Sequence, residues 1–160
     1  MAEAEAMYRR ALEGREKARG PEHTSTLGTV HNLGKLYANQ GKMAEAEAMY
    51  RRALEGSEKA WGPEHTSTLG TVNNLGNLYR GQGRMAEAEA MYRRALEGYE
   101  KAWGPEHPST LGTVRNLGDL YADQGEMAEA EAMFRRARAL EGQDGRSGSH
   151  VSTGEGVGRV

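Results

Sequence analysis

The segment MAEAEAMYRRALEG, residues 43–56, is repeated without change from Met1 and from Met85, and a variant of it, MAEAEAMFRRARALEG, starts at Met127. The four starting points are evenly spaced along the chain, so the chain is built from a repeat of constant length. The second and third full copies differ at only seven positions. Because stacked copies of a short unit bury their apolar faces against one another, this periodicity predicts an extended repeat array.

Each repeat contains two amphipathic helical patterns. In the copy that starts at Met43, an apolar stripe recurs at helical spacing until the Gly-Pro pair of residues 62–63 ends it. A second pattern begins near Thr66 and ends in the Gly-Gln-Gly turn of residues 81–83. The alternation that is typical of β-strands does not occur in the sequence. We therefore expect an all-α array of stacked antiparallel helix hairpins with about seven helices.

The period divides the chain into five parts. The first part is a leading helix that corresponds to the second helix of an incomplete repeat, so the chain is either a fragment of a longer array or a complete protein whose first helix serves as a cap. Three repeats follow, and the Gly- and Ser-rich remainder is predicted to be a disordered tail. The parts are residues 1–20, 21–62, 63–104, 105–141 and 142–160.

Composition excludes several classes of function. A net charge of -2 argues against a nucleic-acid-binding protein, because such proteins usually carry a basic excess. Since the chain has no cysteine, disulfides and thiolate metal sites are excluded. No apolar run approaches the roughly 20 residues that a membrane span needs. We expect no nucleic-acid or membrane partner, no cofactor and no metal.

The repeat resembles a known family. Leu33-Gly34-x2-Tyr37 followed by Ala46-x3-Tyr50-x2-Ala53 is similar to the tetratricopeptide signature, and both later repeats carry the same pattern. Valine occupies the place of the family's tryptophan, and the period exceeds the usual length of about 34 residues. The longer unit resembles the kinesin-light-chain type, which also occurs after NB-ARC modules in fungal and bacterial proteins.

The resemblance implies a right-handed α-solenoid that acts as a non-catalytic, cytoplasmic protein-protein interaction scaffold. It further implies that the first helix of each repeat lines a concave groove holding an extended peptide or a partner segment. The alternative is that the chain is part of the sensor region of a larger NB-ARC-type signalling NTPase, acting through self-association or ligand sensing. Self-association would use the open N-terminal helix. The sequence contains no G-x-x-x-x-G-K-[ST] nucleotide-binding loop.

Differences between the copies point to the same surface. Five of the eight variable positions have spacing i, i+4, i+7, i+8 and i+11, which places them on one face of the first helix, within an arc of roughly 100°. Neutral drift of exposed positions is the competing explanation, but many charged residues of the second helix repeat without change. The resemblance implies that an unchanged asparagine beside the face binds ligand backbone, and the alternative is that it caps a helix or bridges to a neighbouring one. The candidate partner-binding residues are His31, Asn32, Lys35, Asn39, Asn73, Asn74, Asn77, Arg80, Arg84, Arg115, Asn116, Asp119 and Asp123.

The variable residues also follow an order of charge. They are basic in the first repeat and acidic in the third, so we expect a ligand that is acidic toward repeats one and two and basic toward repeat three. The recurring histidines His23, His65 and His107 are predicted to be turn or cap residues, because stacked repeats would not bring them together around a metal ion. Trp61 and Trp103 are predicted to pack at the end of the second helix, with a contact to a ligand as the minor alternative.

Overall fold

The computed structural model describes residues 2–147, which form seven α-helices and no strand in that part of the chain. The bounds are α1 Ala2–Arg19, α2 Thr24–Asn39, α3 Met43–Trp61, α4 Thr66–Gly81, α5 Met85–Trp103, α6 Pro108–Asp123 and α7 Met127–Ser147. Helices α2, α4 and α6 are the first helices of the three repeats, and the other four have the sequence of second helices. Each first helix packs against the second helices on either side of it, so the predicted α-solenoid of antiparallel hairpins is confirmed.

Histidine caps every first helix. The Nδ1 atom of His23 accepts a hydrogen bond of 3.1 Å from the backbone N–H of Ser25, and His65 and His107 do the same in the next repeats. An N-cap acceptor satisfies one of the N–H groups that a helix start leaves without a partner. The prediction that these histidines are cap residues is confirmed.

The C-terminal helix differs from the prediction. Helices α3 and α5 end at Gly62 and Gly104, whose φ angles of 95° and 85° favour glycine, and a proline follows each. Helix α7 has no Gly-Pro pair, and it continues to Ser147. Residues 142–147, predicted as the start of a disordered tail, are therefore helical, while residues 148–160 lie outside the described residues.

The two helices of a repeat approach closely because glycine faces an aromatic ring. A Cβ atom on Gly34 would lie 2.9 Å from the ring of Tyr50, and one on Gly76 would lie 2.7 Å from the ring of Tyr92. Contacts shorter than 3.0 Å cannot be accommodated without movement, so only glycine permits this separation of the helices. Gly34 and Gly76 thus permit close helix packing, and the tyrosines join the leucines and alanines of one continuous core.

Polar contacts between second helices join successive repeats. Arg52 of α3 pairs with Glu16 of α1 at 2.5 Å, and Arg94 of α5 pairs with Glu58 of α3 at 2.7 Å. Arg136 makes the same pair one repeat later. We call these pairs the ion-pair ladder. Because they connect neighbouring repeats, they give the second helix a structural reason to keep its charged residues unchanged.

A second set of contacts crosses the same boundary. The guanidinium of Arg51 donates to the hydroxyl of Tyr79 at 3.1 Å, and Arg93 donates to Tyr121 at 2.6 Å. The hydroxyl of Tyr121 in turn donates to Glu89 at 2.9 Å. Each set ties the second helix of one repeat to the first helix of the next, so these charged residues belong to the stack and not to a freely drifting surface.

Candidate functional groove

The first helices lie side by side, α2 against α4 and α4 against α6. Between them lie three cavities of about 280, 370 and 320 Å³, and we call this surface the groove. Residues from both sets of helices line it, but the polar side chains come mainly from the first helices. Eight of the thirteen predicted site residues line these cavities, namely His31, Asn32, Lys35, Asn39, Asn74, Asn77, Arg80 and Asp123.

The central cavity, of about 280 Å³, lies between repeats one and two. Its polar lining comes from Lys35 and Asn39 of α2 and from Asn74 and Asn77 of α4. Tyr50 of α3 also lines it, and burial raises the pKa of its hydroxyl to about 12, so the hydroxyl keeps its proton near neutral pH. The cavity thus offers one cation, several amides and a phenolic hydroxyl.

The tyrosine hydroxyls of successive repeats have different surroundings. The hydroxyl of Tyr92 donates to Oδ1 of Asn77 at 2.6 Å. At the equivalent place in the first repeat, Tyr50 faces Lys35 instead, and an ammonium group cannot accept a hydrogen bond. The amide oxygen of Asn77 is therefore occupied by the protein, whereas Lys35 and Tyr50 present donors to the central cavity.

An ion pair crosses the cavity between repeats two and three. Arg80 lies 2.6 Å from Asp123 and 3.7 Å from Asp119. The hydrogen bond from Arg80 holds the pKa of Asp123 below its usual value. These residues were predicted to present opposite charges to different parts of a ligand, but the structure brings them together, and the one positive charge of Arg80 offsets one of the two carboxylates.

Other predicted site residues join the repeats to each other. The Nδ1 atom of His31 lies 3.0 Å from the hydroxyl of Thr71, and the side-chain nitrogen of Asn74 donates to its Nε2 atom at 3.1 Å. In the next repeat, Asn116 donates to the amide oxygen of Asn73 at 3.3 Å. Of the roles considered for the unchanged asparagine, the structure shows the bridge between neighbouring helices for Asn74 and Asn116.

Two arginines at the variable positions are also engaged. Arg84 pairs with Glu47 at 2.9 Å and with Glu87 at 2.5 Å, while its guanidinium lies 4.1 Å from the centre of the Tyr79 ring. Arg115 pairs with Glu141 of α7. In contrast, Lys35 is exposed and forms no ion pair with any residue between 2 and 142. Within that same range, three of the predicted residues are exposed and form no side-chain hydrogen bond or ion pair, namely Asn32, Lys35 and Asn39.

The third cavity, of about 370 Å³, lies beside Trp61. Trp61 is 39% exposed and stacks on the cap residue His65 with ring centres 5.1 Å apart, so it packs at the end of the second helix, as predicted, while part of its ring stays open. Ser57 forms part of the cavity lining. In the next repeat, Tyr99 occupies the equivalent position and stacks on Trp103 at 5.4 Å. The cavity exists because serine replaces this ring.

Sequence reasoning missed the part of the lining that comes from the second helix. Met43, Tyr50 and Ser57 of α3 line the cavities together with the residues of α2 and α4. The variation at position 57 was visible in the sequence, and it was the signal that could have placed Ser57 at the site. Tyr50 gives no such signal, because tyrosine and its glycine partner recur in the second repeat.

Stacked hairpins with a shared core, joined by a ladder of ion pairs, define a helical-repeat scaffold. A family model of the tetratricopeptide repeat matches residues 1–59 and 67–140, and the chain belongs to the tetratricopeptide repeat family. Proteins of this type generally bind protein partners and are generally not enzymes. Among residues 2–147, no helix is both long and apolar enough to cross a bilayer.

Solved structures support the kinesin-light-chain type. The chain is similar to BtubC (BKLC) from P. vanneervenii, with a TM-score of 0.81 and 25% identity over 98% of this chain and 62% of that one. It is also similar to a putative kinesin light chain from Podosopora anserina with nearly identical TPR-like repeats, with a TM-score of 0.75 and 26% identity over 91% of this chain and 69% of that one. The chain thus spans less than two thirds of BtubC. No curated protein has a sequence that matches this one, and the NB-ARC context stays a prediction.

Proposed function

We propose that this protein is a non-catalytic scaffold that holds an extended segment of a partner protein in the groove between its first helices. The observation that carries the proposal is the central cavity, where Lys35, Asn39, Asn74 and Asn77 surround a space of about 280 Å³. Backbone amides of an extended segment need donors and acceptors along their length. The amide of Asn39 supplies both, while Asn74 and Asn77 each use one amide atom in a contact within the protein. The aromatic and apolar floor supplied by Tyr50 gives such a segment a surface to pack on.

The contacts in the groove change the expected order of charge in the ligand. Arg80 meets two carboxylates, those of Asp123 and Asp119, so the cavity between repeats two and three keeps an excess of one negative charge. Lys35 remains as an exposed cation at the first repeat, and Glu126 is exposed at the end of the third. We therefore infer a ligand that is acidic near repeat one and basic toward the boundary of repeats two and three and toward repeat three.

The test uses synthetic peptides of equal composition. One set places acidic residues in one half and basic residues in the other, and the second set alternates the same residues along the peptide. If the groove recognises an order of charge, the segregated set binds more tightly by fluorescence anisotropy, and the difference shrinks as salt screens the charges. Equal binding of both sets at low salt would contradict the inferred order of charge.

A triple variant tests whether the groove itself is the binding surface. Lys35→Ala, Asn77→Ala and Asp119→Ala together remove polar groups along the first helices without changing the net charge. The matched control replaces Arg10 and Glu45, which are exposed on second helices, by alanine and also keeps the net charge. We expect at least a tenfold loss of peptide affinity in the groove variant only, which corresponds to about 1.4 kcal/mol. An equal loss in the control would place the binding surface elsewhere.

A further inference from the structure

A stack of aromatic rings is complete in the second repeat and incomplete in the first. In the second repeat, Trp103 lies between two rings, with Tyr99 at 5.4 Å and His107 at 4.1 Å between ring centres. In the first repeat, Trp61 stacks on His65 at 5.1 Å, and no second ring stacks on it among the described residues. One face of this indole therefore has no aromatic neighbour, and the side chain is 39% exposed.

The missing ring leaves a cavity. We call it the Trp61 cavity, which is the space of about 370 Å³ bordered by Gly28, Ser57, Trp61 and Gly70. In the second repeat, the hydroxyl of Tyr99 lies 3.7 Å from the place where Gly70 would carry a Cβ atom. At the equivalent Gly28, no atom of another helix lies within 4 Å of that place. The cavity is thus the place that the ring of Tyr99 fills one repeat later.

The position of Ser57 carries a long side chain in both other units. Arg15 of α1 donates to the backbone oxygen of Ser25 at 2.8 Å and to the hydroxyl of Thr29 at 2.7 Å, so it reaches the first helix that follows it. Tyr99 reaches the first helix that precedes it. Serine is too short to do either, so two kinds of group serve as precedents for an occupant of the cavity: a guanidinium and a phenol ring.

The lining of the cavity favours the neutral ring. No acidic residue borders it in the part of the chain that the structure describes, and a cation that loses its hydration without a carboxylate partner is strongly disfavoured. The hydroxyl of Thr71, equivalent to the acceptor of Arg15, already lies 3.0 Å from Nδ1 of His31. Leu27 and the indole of Trp61 supply apolar walls. An aromatic ring gains from such surroundings, because stacked rings attract each other beyond the effect of burial.

The Trp61 cavity and the central cavity lie next to each other between α2 and α4. His31 borders the Trp61 cavity and Asn74 borders the central cavity, and their side chains are joined by a hydrogen bond of 3.1 Å. A segment held in the central cavity can therefore place a side chain in the neighbouring space. Size permits this as well, since apolar cavities of about 150 Å³ already take up benzene.

We propose that the Trp61 cavity binds a tyrosine side chain of the partner segment, with the phenol ring stacked on Trp61 as Tyr99 is stacked on Trp103. The source of the ring rests on the proposed function, whereas the place of the ring rests on the comparison between the two repeats. The site adds a requirement for one aromatic residue to the order of charge inferred for the ligand.

The first experiment tests the cavity with 4-methylphenol, which is the side chain of tyrosine as a small molecule. The full chain carries isotope-labelled tryptophan, and NMR follows the two indole N–H signals. We expect a saturable shift of the Trp61 signal and none of the Trp103 signal, because Tyr99 already covers that ring. Ser57→Tyr fills the cavity from within and is expected to bind at least tenfold more weakly. Ser57→Ala is the matched control, which leaves the cavity open and is expected to bind like the unmodified chain.

The second experiment tests the source of the ring. The charge-segregated peptides that test the groove carry one tyrosine at each position in turn, and matched peptides carry alanine there. By fluorescence anisotropy, we expect one tyrosine position to bind at least tenfold more tightly than its alanine counterpart, which corresponds to about 1.4 kcal/mol. Ser57→Tyr is expected to remove this gain. It should leave the affinity for the alanine peptide unchanged, because Ser57 does not border the central cavity.

The outcomes separate this inference from the proposed function. An unchanged Trp61 signal, or equal binding of 4-methylphenol by Ser57→Tyr, would show that the cavity does not take a ring. If the alanine peptides bind and no tyrosine position improves on them, the inference is overturned while the groove function stands. If no peptide binds but 4-methylphenol still shifts the Trp61 signal, the groove function fails, and a partner segment is excluded as the source of the ring.

Discussion

The equivalent positions 57 and 99 allow a reciprocal exchange whose effects have opposite signs. Tyr99 is only 6% exposed, packs against Leu69 and Val72, and stacks on Trp103. Ser57 instead borders the cavity of about 370 Å³ beside the half-exposed tryptophan of its own repeat. We predict that Tyr99→Ser lowers the free energy of unfolding and that Ser57→Tyr raises it.

The magnitudes follow from burial. Removing a large buried aromatic ring costs about 3–5 kcal/mol, and the loss at Tyr99 should be near the lower limit, about 3 kcal/mol, because the ring lies close to the surface. Burying a large side chain completely contributes about 1.5–3 kcal/mol. For Ser57→Tyr, ordering the side chain and the opening of the cavity to solvent offset part of this, so we expect a gain of about 1 kcal/mol.

Urea unfolding followed by circular dichroism at 222 nm measures both changes. Tyr99→Phe is the control, because it keeps the ring and removes only the hydroxyl, and it should stay within about 1 kcal/mol of the unmodified chain. Two results would contradict the conclusion that the cavity beside Ser57 exists because serine replaces a tyrosine ring there. They are a lower free energy of unfolding in Ser57→Tyr, or a change of less than about 0.5 kcal/mol in Tyr99→Ser.

Three further changes test other contacts. Burial and the nearby Lys35 lower the pKa of His31, so the unfolded chain binds a proton more readily than the folded one, and stability should fall as pH decreases through the unfolded value of 6.5. His31→Asn introduces the residue that stands at the equivalent position of the next repeat. In this variant the urea midpoint should change less with pH below 6.5 than in the unmodified chain, and an equal change in both would contradict the prediction. The buried side-chain oxygen of Gln40 accepts no hydrogen bond from the described residues, whereas the equivalent oxygen in the next repeat, on Gln82, accepts one from Arg84. Lys42→Arg should therefore raise the free energy of unfolding in urea by about 1 kcal/mol. A lower free energy of unfolding would exclude the proposed hydrogen bond. Gly76→Leu should destabilise the array by about 1–3 kcal/mol and lower its melting temperature, and an unchanged melting temperature would show that the helices can separate freely.

The period and the helix signals predicted the fold because the same apolar spacing and the same helix-ending residues occur in all three repeats. The apolar stripes, the cap histidines and the role of Gly34 depend on short-range spacing, which a sequence displays directly. The ion-pair ladder depends on how the repeats stack, which the sequence does not display. The sequence showed that the charged residues of the second helix repeat without change, but not that Arg94 pairs with Glu58 across the repeat boundary. This pairing removes one argument against neutral drift of the variable face, because the second helix is constrained by its partners.

The site was harder to predict than the fold. The variable positions predicted one face of the first helix as the site, but spacing on one helix does not show that Arg80 reaches Asp123 on the next one. The end of α7 was also predicted incorrectly, since the glycine content around Gly142 suggested a tail, whereas α3 and α5 show that a Gly-Pro pair is what ends these helices. Both differences arise from information that lies outside a single helix.

The ion-pair ladder also bears on how such a chain can change its length. Every rung joins residues 36 positions apart, as in Arg52 with Glu16 and Arg94 with Glu58, and the tyrosine contacts join residues 28 apart, as in Arg51 with Tyr79. Removing or duplicating one whole repeat leaves each of these separations intact at the new junction. Unequal recombination between copies of the coding segment can therefore add or delete a unit while every boundary keeps its partners. The length of the groove can thus evolve in steps of one unit, and its variable residues can be rearranged without redesigning the stack.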